Sequence, residues 1–287
     1  MADLVDKILK KIGKLRRIVV IGDAMVDRWV YGHTAQCQDG CPKFVQESVL
    51  EVPGGAANAE QCLSNWGVKT SLYGYTRNNC PIKCRYVEGG KIIFRADDDR
   101  LLRRSEGDWW ARGLALEMVQ SAGGVLLSDY DKGFLSPEFI INLINLCQKR
   151  DIPCVADMKR SPNIYSGAIL KCNSGYQHNH DRELSELVYD SSTPHRLVVT
   201  DGPVNPIIWD GKEPLGLGYF LPPVKCVNHV GAGDCFAAHL VLGLAGGFSL
   251  KEAAALAHSA GRVYVQFPNN RPPQPQEIAA DLSTALA

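Results

Sequence analysis

No stretch of the 287 residues approaches the roughly 20 consecutive apolar residues of a membrane-spanning helix, and neither sign of charge is in excess, Lys plus Arg and Asp plus Glu each numbering 31. The first absence removes helical membrane proteins. The second removes a global field that would draw the chain to nucleic acid or to an anionic bilayer, so any anionic ligand must be held by local chemistry. The opening MADLVDKILKKIGKLRR has apolar residues at helical spacing, but charge interrupts them and the apolar core of a secretory signal is missing. The cytoplasm is therefore the expected location, and simple packing of this basic helix against the sheet edge is expected. No internal repeat or low-complexity linker divides the chain, and 45% hydrophobic residues are ample for a buried core. One folding unit, residues 1–287, is expected.

Cysteine is not scarce: there are ten. Cys62, Cys147, Cys154 and Cys172 sit among apolar residues, where a thiol behaves as a small hydrophobe, and a reducing compartment follows. Cys37 and Cys41 bracket the turn-like QDG, and Cys80 and Cys84 repeat the same spacing. Four thiolates could bind zinc if the fold brought the pairs together; the alternative is free thiols, with no metal assigned.

Short apolar runs alternate with helical segments: RIVVIGD (17–23), TSLYGY (70–75), GVLLSDY (124–130), PCVADMK (153–159) and RLVVTDG (196–202). Runs that are apolar throughout suit parallel strands covered on both faces. Ser136 followed by Pro137 opens the helix PEFIINLINLCQKR, and Ser249 with Glu252 forms a capping box for LKEAAALAHSAGRVYVQ. Strand then helix, repeated, predicts an α/β fold with a doubly wound, mostly parallel sheet. Residues 29–52 and 82–95 read instead as extended segments broken by turns, a small antiparallel flap or lid over one end of that sheet.

Ligands of open α/β sheets bind at the carboxyl ends of the strands, where GDAMVD, SDYDKG and DMK fall. In VNHVGAGDCF (227–236), Gly231 and Gly233 let backbone N–H groups approach a phosphate, and the following helix adds its N-terminal partial charge. Asp234 in that first turn is either a favourable dipole partner or the acceptor of a proton from an attacking hydroxyl. In EVPGGAANAEQCLSNWG (51–67), Gly54 and Gly55 make a tight turn before Asn58, and with Asp23 and Asp27 as acceptor-only carboxylates the cluster reads as a carbohydrate pocket. The plainer alternative is a strand-to-helix turn alone.

RIVVIGDAMVDRWVYG, VPGGAANAEQCLSNWG, LLSDYDKG, VADMK and VNHVGAGDCF resemble, in order and spacing, the ribokinase-like or PfkB-type carbohydrate kinases. The first three look most like the branch that phosphorylates D-glycero-β-D-manno-heptose 7-phosphate. Bifunctional members of that branch carry a following nucleotidyltransferase domain, which this sequence does not reach. The resemblance implies an ATP-dependent sugar kinase using Mg²⁺ with ATP. It implies that Asp234 is the general base and that Gly231, Ala232 and Gly233 form an anion hole. Asp23, Asp27, Gly54, Gly55, Asn58 and Asp129 would hold the sugar; Lys83, Arg85 and Arg95, from the flap, would meet a sugar phosphate or else be solvated strand charges. Lys132, Lys159, Asn173, Thr200 and Gly202 fall where the family gathers the nucleotide, and a homodimer through the lid is implied. ATP and a sugar or sugar phosphate are the expected partners, with no nucleic acid and no membrane. Phosphoryl transfer needs chiefly positioning and charge neutralisation, which one base, backbone donors, cations and Mg²⁺ supply.

The sequence departs from the family pattern mostly on the nucleotide side. Asn228 stands where the family has Asp, Tyr176 where its Asn-x-x-Glu motif ends, and Cys235 where Thr follows GAGD. A glycine is replaced around Asn205, QFPNN (266–270) lacks the usual glycine and threonine, and the chain is shorter between Gly74 and Lys83. These departures leave a second reading, a relative that binds a sugar phosphate or nucleotide without turnover.

Overall fold

The computed structural model describes residues 2–12, 14–37, 40–99, 107–189 and 195–284. Five strands, β1 (Ile18–Gly22), β7 (Gly124–Ser128), β8 (Cys154–Asp157), β9 (Ile169–Asn173) and β10 (Arg196–Asp201), run parallel at the centre of the main sheet. β4 (Thr70–Gly74) extends it in parallel beyond β1, and β11 (Val204–Trp209) and β12 (Pro214–Leu215) close the other edge antiparallel. Among the described residues the strand order is β12-β11-β10-β9-β8-β7-β1-β4, the doubly wound arrangement expected.

Successive residues of these strands point to opposite faces, and both faces are covered, which is why the runs are apolar without a break. Val20, Leu126, Val155, Ile169 and Val198 face a layer made by α2 (Ala56–Leu63), α6 (Ala232–Ala245), α7 (Leu250–Tyr264) and α8 (Pro275–Ser283). Val19, Ile21, Val125, Leu127, Leu170 and Val199 face α3 (Gly107–Val119) and α4 (Pro137–Lys149). The helix starts read from sequence are built as such: Ser136 accepts from the Phe139 N–H, and Ser249 and Glu252 cap each other's backbone.

The amino-terminal helix α1 (Ala2–Ile12) packs on α8 and α7, not on a sheet edge, because Val5 and Ile8 are fully buried in that helical layer. Lys11 fastens it further, donating to the Gly246 carbonyl at 2.9 Å.

A second sheet, of order β3-β2-β5-β6, is built from β2 (Ala24–Ala35), β3 (Lys43–Gly55), β5 (Ile82–Glu88) and β6 (Lys91–Asp98). The expected flap residues 29–52 and 82–95 fall in it, except that Gln38 and Asp39 of the QDG turn lie outside the described residues. The sheet is mixed and not antiparallel: β2 and β5 pair in parallel, Asp27 opposite Lys83 and Trp29 opposite Arg85. The reason is topological, since β2 continues from β1 and β5 follows β4, and those two strands run side by side in the same direction. β5 and β6 then form a hairpin through Gly89 and Gly90, with φ of 56° and 78°, the left-handed pair that a two-residue turn of this hand requires.

Candidate active site

The two sheets meet where β1 becomes β2, and there the glycines act by letting backbone approach. Gly55 has φ of 55°, and a Cβ on it would lie 2.4 Å from the Asp23 carbonyl. Gly231 caps α6 with φ of 84°, and a Cβ there would lie 2.4 Å from both Asn58 Nδ2 and the Tyr264 hydroxyl. The start of α6 is thereby pressed against α2.

Asp234, 3% exposed in the first turn of α6, sits at this junction. Its Oδ2 accepts from Asn58 Nδ2 at 3.1 Å and its Oδ1 from the Tyr130 hydroxyl at 2.6 Å. Burial, and after it the charge of Asp157, pushes its carboxyl up to about 6, against the two hydrogen bonds that favour the charged form. That places its proton affinity close to neutrality, where a general base works best. Asn58 also donates to the Gly231 carbonyl at 3.2 Å, so one amide positions both the carboxylate and the glycine turn. Of the three turn residues, Gly231, Ala232 and Gly233 are all half-buried, but the Ala232 N–H is already directed to the His229 carbonyl at 3.2 Å.

Around Asp234 lies a set of cations that the sequence signals only in part. Lys171, 2% exposed in the middle of β9, donates to Asp157 Oδ1 at 3.1 Å and to the Gly233 carbonyl at 3.2 Å. Lys159 Nζ lies 3.6 Å from the same Asp157 oxygen, and the Asp157 charge is the main cause holding its ammonium charged above the ordinary lysine range. Lys83 Nζ sits 4.1 Å from the centre of the Tyr130 ring; burial lowers its pKa, opposed by the charges of Asp234 and Asp27.

Asp27 is the second buried carboxylate of the junction. Arg85 Nη1 donates to its Oδ1 at 2.7 Å and Asn270 Nδ2 to its Oδ2 at 3.2 Å. Gly54 lies so close that a Cβ would come within 2.8 Å of Asp27 Oδ2. Asn270 continues the chain, accepting from Asn228 Nδ2 at 3.2 Å, and Asn228 Oδ1 in turn accepts from the Val230 N–H at 3.0 Å. Neutral Asn228 thus ties the turn before Gly231, through the Val230 N–H, to the Asn270 side chain.

Several expected ligand-holding residues are occupied by the protein itself. Asp23, with no exposed surface, accepts backbone N–H groups from Tyr130, Lys132 and Phe134 at 2.8, 3.1 and 3.2 Å. It anchors the 128–134 loop and presents no free oxygen to a sugar. Asp129 is likewise engaged by the protein: Arg160 Nε donates to its Oδ2 at 2.9 Å and the Tyr165 hydroxyl at 2.5 Å. Arg95 is clamped by Asp97 at 2.7 and 2.6 Å, and Lys132 by Asp99 at 2.5 Å. On the far side, Asn173 accepts from the Tyr176 N–H at 2.7 Å and so caps α5 (Ser174–Tyr189), Thr200 Oγ1 donates to the Cys172 carbonyl at 3.2 Å, and Gly202, with φ of 53°, makes the β10–β11 turn. Tyr176 supplies no carboxylate; its hydroxyl donates to the Arg160 carbonyl.

Tyr130, Asp157, Lys171, Arg160 and Asn270 are the residues that sequence reasoning did not assign. Asp157 lay within the DMK cluster. Lys171 was hidden because a charge inside ILKCN broke the apolar run that would have marked β9. Among the described residues no group of three or more His, Cys, Asp or Glu could hold a metal ion. Cys37 and Cys41 lie 3.6 Å apart, sulfur to sulfur, near the tip of the β2–β3 hairpin, while Cys80 donates to the Arg77 carbonyl.

Beside α7 and α8 a groove of about 430 Å³ is lined by Pro222, Pro223, Arg262, Phe267, Asp281 and Thr284. Arg262 pairs with Asp281 at 3.1 Å, yet its Nη1 and the nearby His258 Nε2 are buried without a hydrogen-bond partner. Burial pushes the His258 imidazole down to about 4, so it is neutral at physiological pH.

Residues 175–277 match the family described as pfkB family carbohydrate kinase. In this segment the chain is similar to the pfkB-type carbohydrate kinases. It is 27% identical to the bifunctional protein HldE of Hyphomonas neptunium, over 94% of this chain and 64% of that protein. With the bifunctional protein HldE of Yersinia enterocolitica the identity is 29%, over 86% of this chain and 60% of that protein. The chain thus spans less than two thirds of the length of these curated relatives. The fold is shared with a ribokinase of Arabidopsis thaliana solved with ribose and ATP, at a TM-score of 0.68 and 17% identity over 93% of this chain and 99% of that one. It is shared equally with the tetrameric inhibited form of phosphofructokinase-2 from Escherichia coli, at a TM-score of 0.68 and 19% identity over 94% and 99%.

Proposed function

We propose that this pfkB-type chain is a sugar kinase that transfers the γ-phosphate of ATP to a hydroxyl of a sugar or sugar phosphate, with heptose 7-phosphate as the first acceptor to test. The observation that carries the reading is Asp234: a buried carboxylate, pushed up to about 6, at the half-buried glycine start of a helix. The helix dipole favours a carboxylate in this first turn, but beside a bound phosphate it meets like charge, which a proton-accepting role accounts for. Here it accepts the proton of the attacking hydroxyl while the first-turn N–H groups of α6 and Lys171 stabilise the transferring phosphoryl group. The acceptor lies between Asn58, Asp27 and Lys83, with Lys83 and Arg85 toward its phosphate, under the second sheet acting as lid of a single kinase domain. The nucleotide lies on the far side, with Lys159 toward its phosphates and the groove beside His258 and Arg262 toward its base.

A magnesium ion arriving on the nucleotide fits these residues, since such ions keep most of their ligands from phosphate and water and need one or two carboxylates. Asp157, between Lys171 and Lys159, is the residue that would face it. The metal would supply charge neutralisation at the nucleotide phosphates. The lid also exposes Val49, Ile92, Ile93 and Phe94, of which Phe94 is 61% exposed, and a second copy of the chain covering them gives the homodimer. A cytoplasmic location agrees with the absence, among the described residues, of any helix long and apolar enough to cross a membrane.

Tyr176 in place of the family's glutamate favours the alternative of a binding-only relative. Two measurements separate the readings. Mg·ATP at a hundredfold excess over its dissociation constant adds roughly 2.7 kcal/mol of stability by linkage, so a clear rise in melting temperature is expected. ADP release across a panel of sugars and sugar phosphates then names the acceptor. Absence of turnover with every acceptor, from protein that binds Mg·ATP, supports the alternative.

A further inference from the structure

The proposed reaction needs a hydroxyl hydrogen-bonded to Asp234, and the protein already supplies one: the Tyr130 phenol donates to Asp234 Oδ1 at 2.6 Å. The other carboxylate oxygen is engaged by Asn58. The main chain of Tyr130 is fixed, its own N–H and that of Lys132 both bonded to Asp23 and the Asp131 N–H to Asp129 at 2.8 Å. Its half-buried ring is held differently, by the bond to Asp234 and by two cations, Lys83 at 4.1 Å and Lys159 at 5.4 Å from the ring centre. Both attachments are ones that ligands can take over. An acceptor hydroxyl can replace the phenol at Asp234, and a phosphate monoester can draw an ammonium from a ring face, since ion pairing outweighs cation–π attraction.

We infer that Tyr130 is an internal occupant of the acceptor site, which keeps water off Asp234 and yields its place only to an acceptor that carries both a hydroxyl and an anionic group. The inference rests on the kinase reading and narrows it to phosphorylated sugars over free sugars. Its chemical consequence is a suppressed side reaction. With the phenol absent, water takes its place; the water oxygen bonds to the γ-phosphorus of ATP, the bond from that phosphorus to the β–γ bridging oxygen breaks, and the water proton passes to Asp234 and then to solvent. The products are ADP and inorganic phosphate.

Tyr130→Phe keeps the ring and its cations and removes only the hydroxyl; Tyr130→Ala removes both. ADP release from Mg·ATP without any sugar is expected to rise about tenfold in Tyr130→Phe, the scale of one charge-assisted hydrogen bond. A residue that merely braces Asp234 gives the opposite pattern, with turnover falling and hydrolysis unchanged. In parallel, Asp234 is labelled with a water-soluble carbodiimide and glycine ethyl ester and read by peptide mass spectrometry, which requires no catalysis. Labelling is expected to be slow in the parent and severalfold faster in both variants, each first checked by its melting transition. Equal labelling in parent and variants overturns the inference, as does unchanged sugar-free hydrolysis in variants that bind Mg·ATP. Labelling that is faster in the variants than in the parent, when none of these proteins binds nucleotide, leaves Tyr130 as the occupant and removes the kinase reading instead.

Discussion

Asp27 and Asp234 each have both oxygens engaged by a side-chain donor, whereas His258 and Arg262, on α7, are buried with nitrogen atoms that have none. The site around Asp27 and Asp234 is set before any ligand arrives; the groove beside α7 and α8 keeps buried polar nitrogens that a ligand or water would satisfy. Preorganisation of the charge-bearing half is what catalysis demands, because donors already aimed need not reorganise during the reaction. A half that mainly binds can leave polar groups to be completed by its ligand.

The contrast is broken most severely by Asp234→Asn, which keeps the shape and removes the base: acceptor-dependent turnover is expected to fall about a thousandfold, measured as ADP release. The same carboxyl sets the pH dependence. With the folded value raised from 3.8 to about 6, the base is protonated in acid, so log kcat/KM should fall with unit slope below about pH 6. For stability the sign is reversed. The protonated form is the one folding favours, so its contribution is full below pH 3.8 and is lost as pH rises through about 6. Asp234→Asn should therefore raise the melting temperature relative to the parent more at pH 8 than at pH 4.

Arg85→Ala follows in size. It leaves Asp27 buried without its cation, and about 3 kcal/mol of stability should be lost, read by denaturant unfolding. Gly231→Ala forces a Cβ into Asn58 and Tyr264 at a φ of 84°, with a loss of about 2 kcal/mol. On the proposed nucleotide side Tyr176→Phe removes a single hydroxyl bond to the Arg160 carbonyl, and about 1 kcal/mol is expected. If Tyr176→Phe costs more than Arg85→Ala, the division between a prearranged and an incomplete half is wrong.

Much of this architecture was legible because periodicity and turn chemistry are local. IVVIG and GVLLS announced buried parallel strands, Ser136 and Ser249 marked helix starts, and the glycine pairs located the close-packed turn beside Asp27 and the start of α6. Lys171 was not legible, since a charge within an apolar run reads as the end of a strand until its partners Asp157 and the Gly233 carbonyl are known. Asp23 and Asp129 looked like sugar ligands for the converse reason: a carboxylate at a strand end carries no sign of whether it faces a ligand or, as here, loop N–H groups and Arg160. The parallel β2–β5 pairing is likewise a product of chain path and not of composition.

The account stands on Asp234 as the base for a phosphorylated acceptor, and ADP release with Mg·ATP and heptose 7-phosphate, measured side by side for the parent and Asp234→Asn, tests it most directly. Acceptor-dependent release in the parent that collapses in the variant is the predicted result; equal release from both proteins would contradict it.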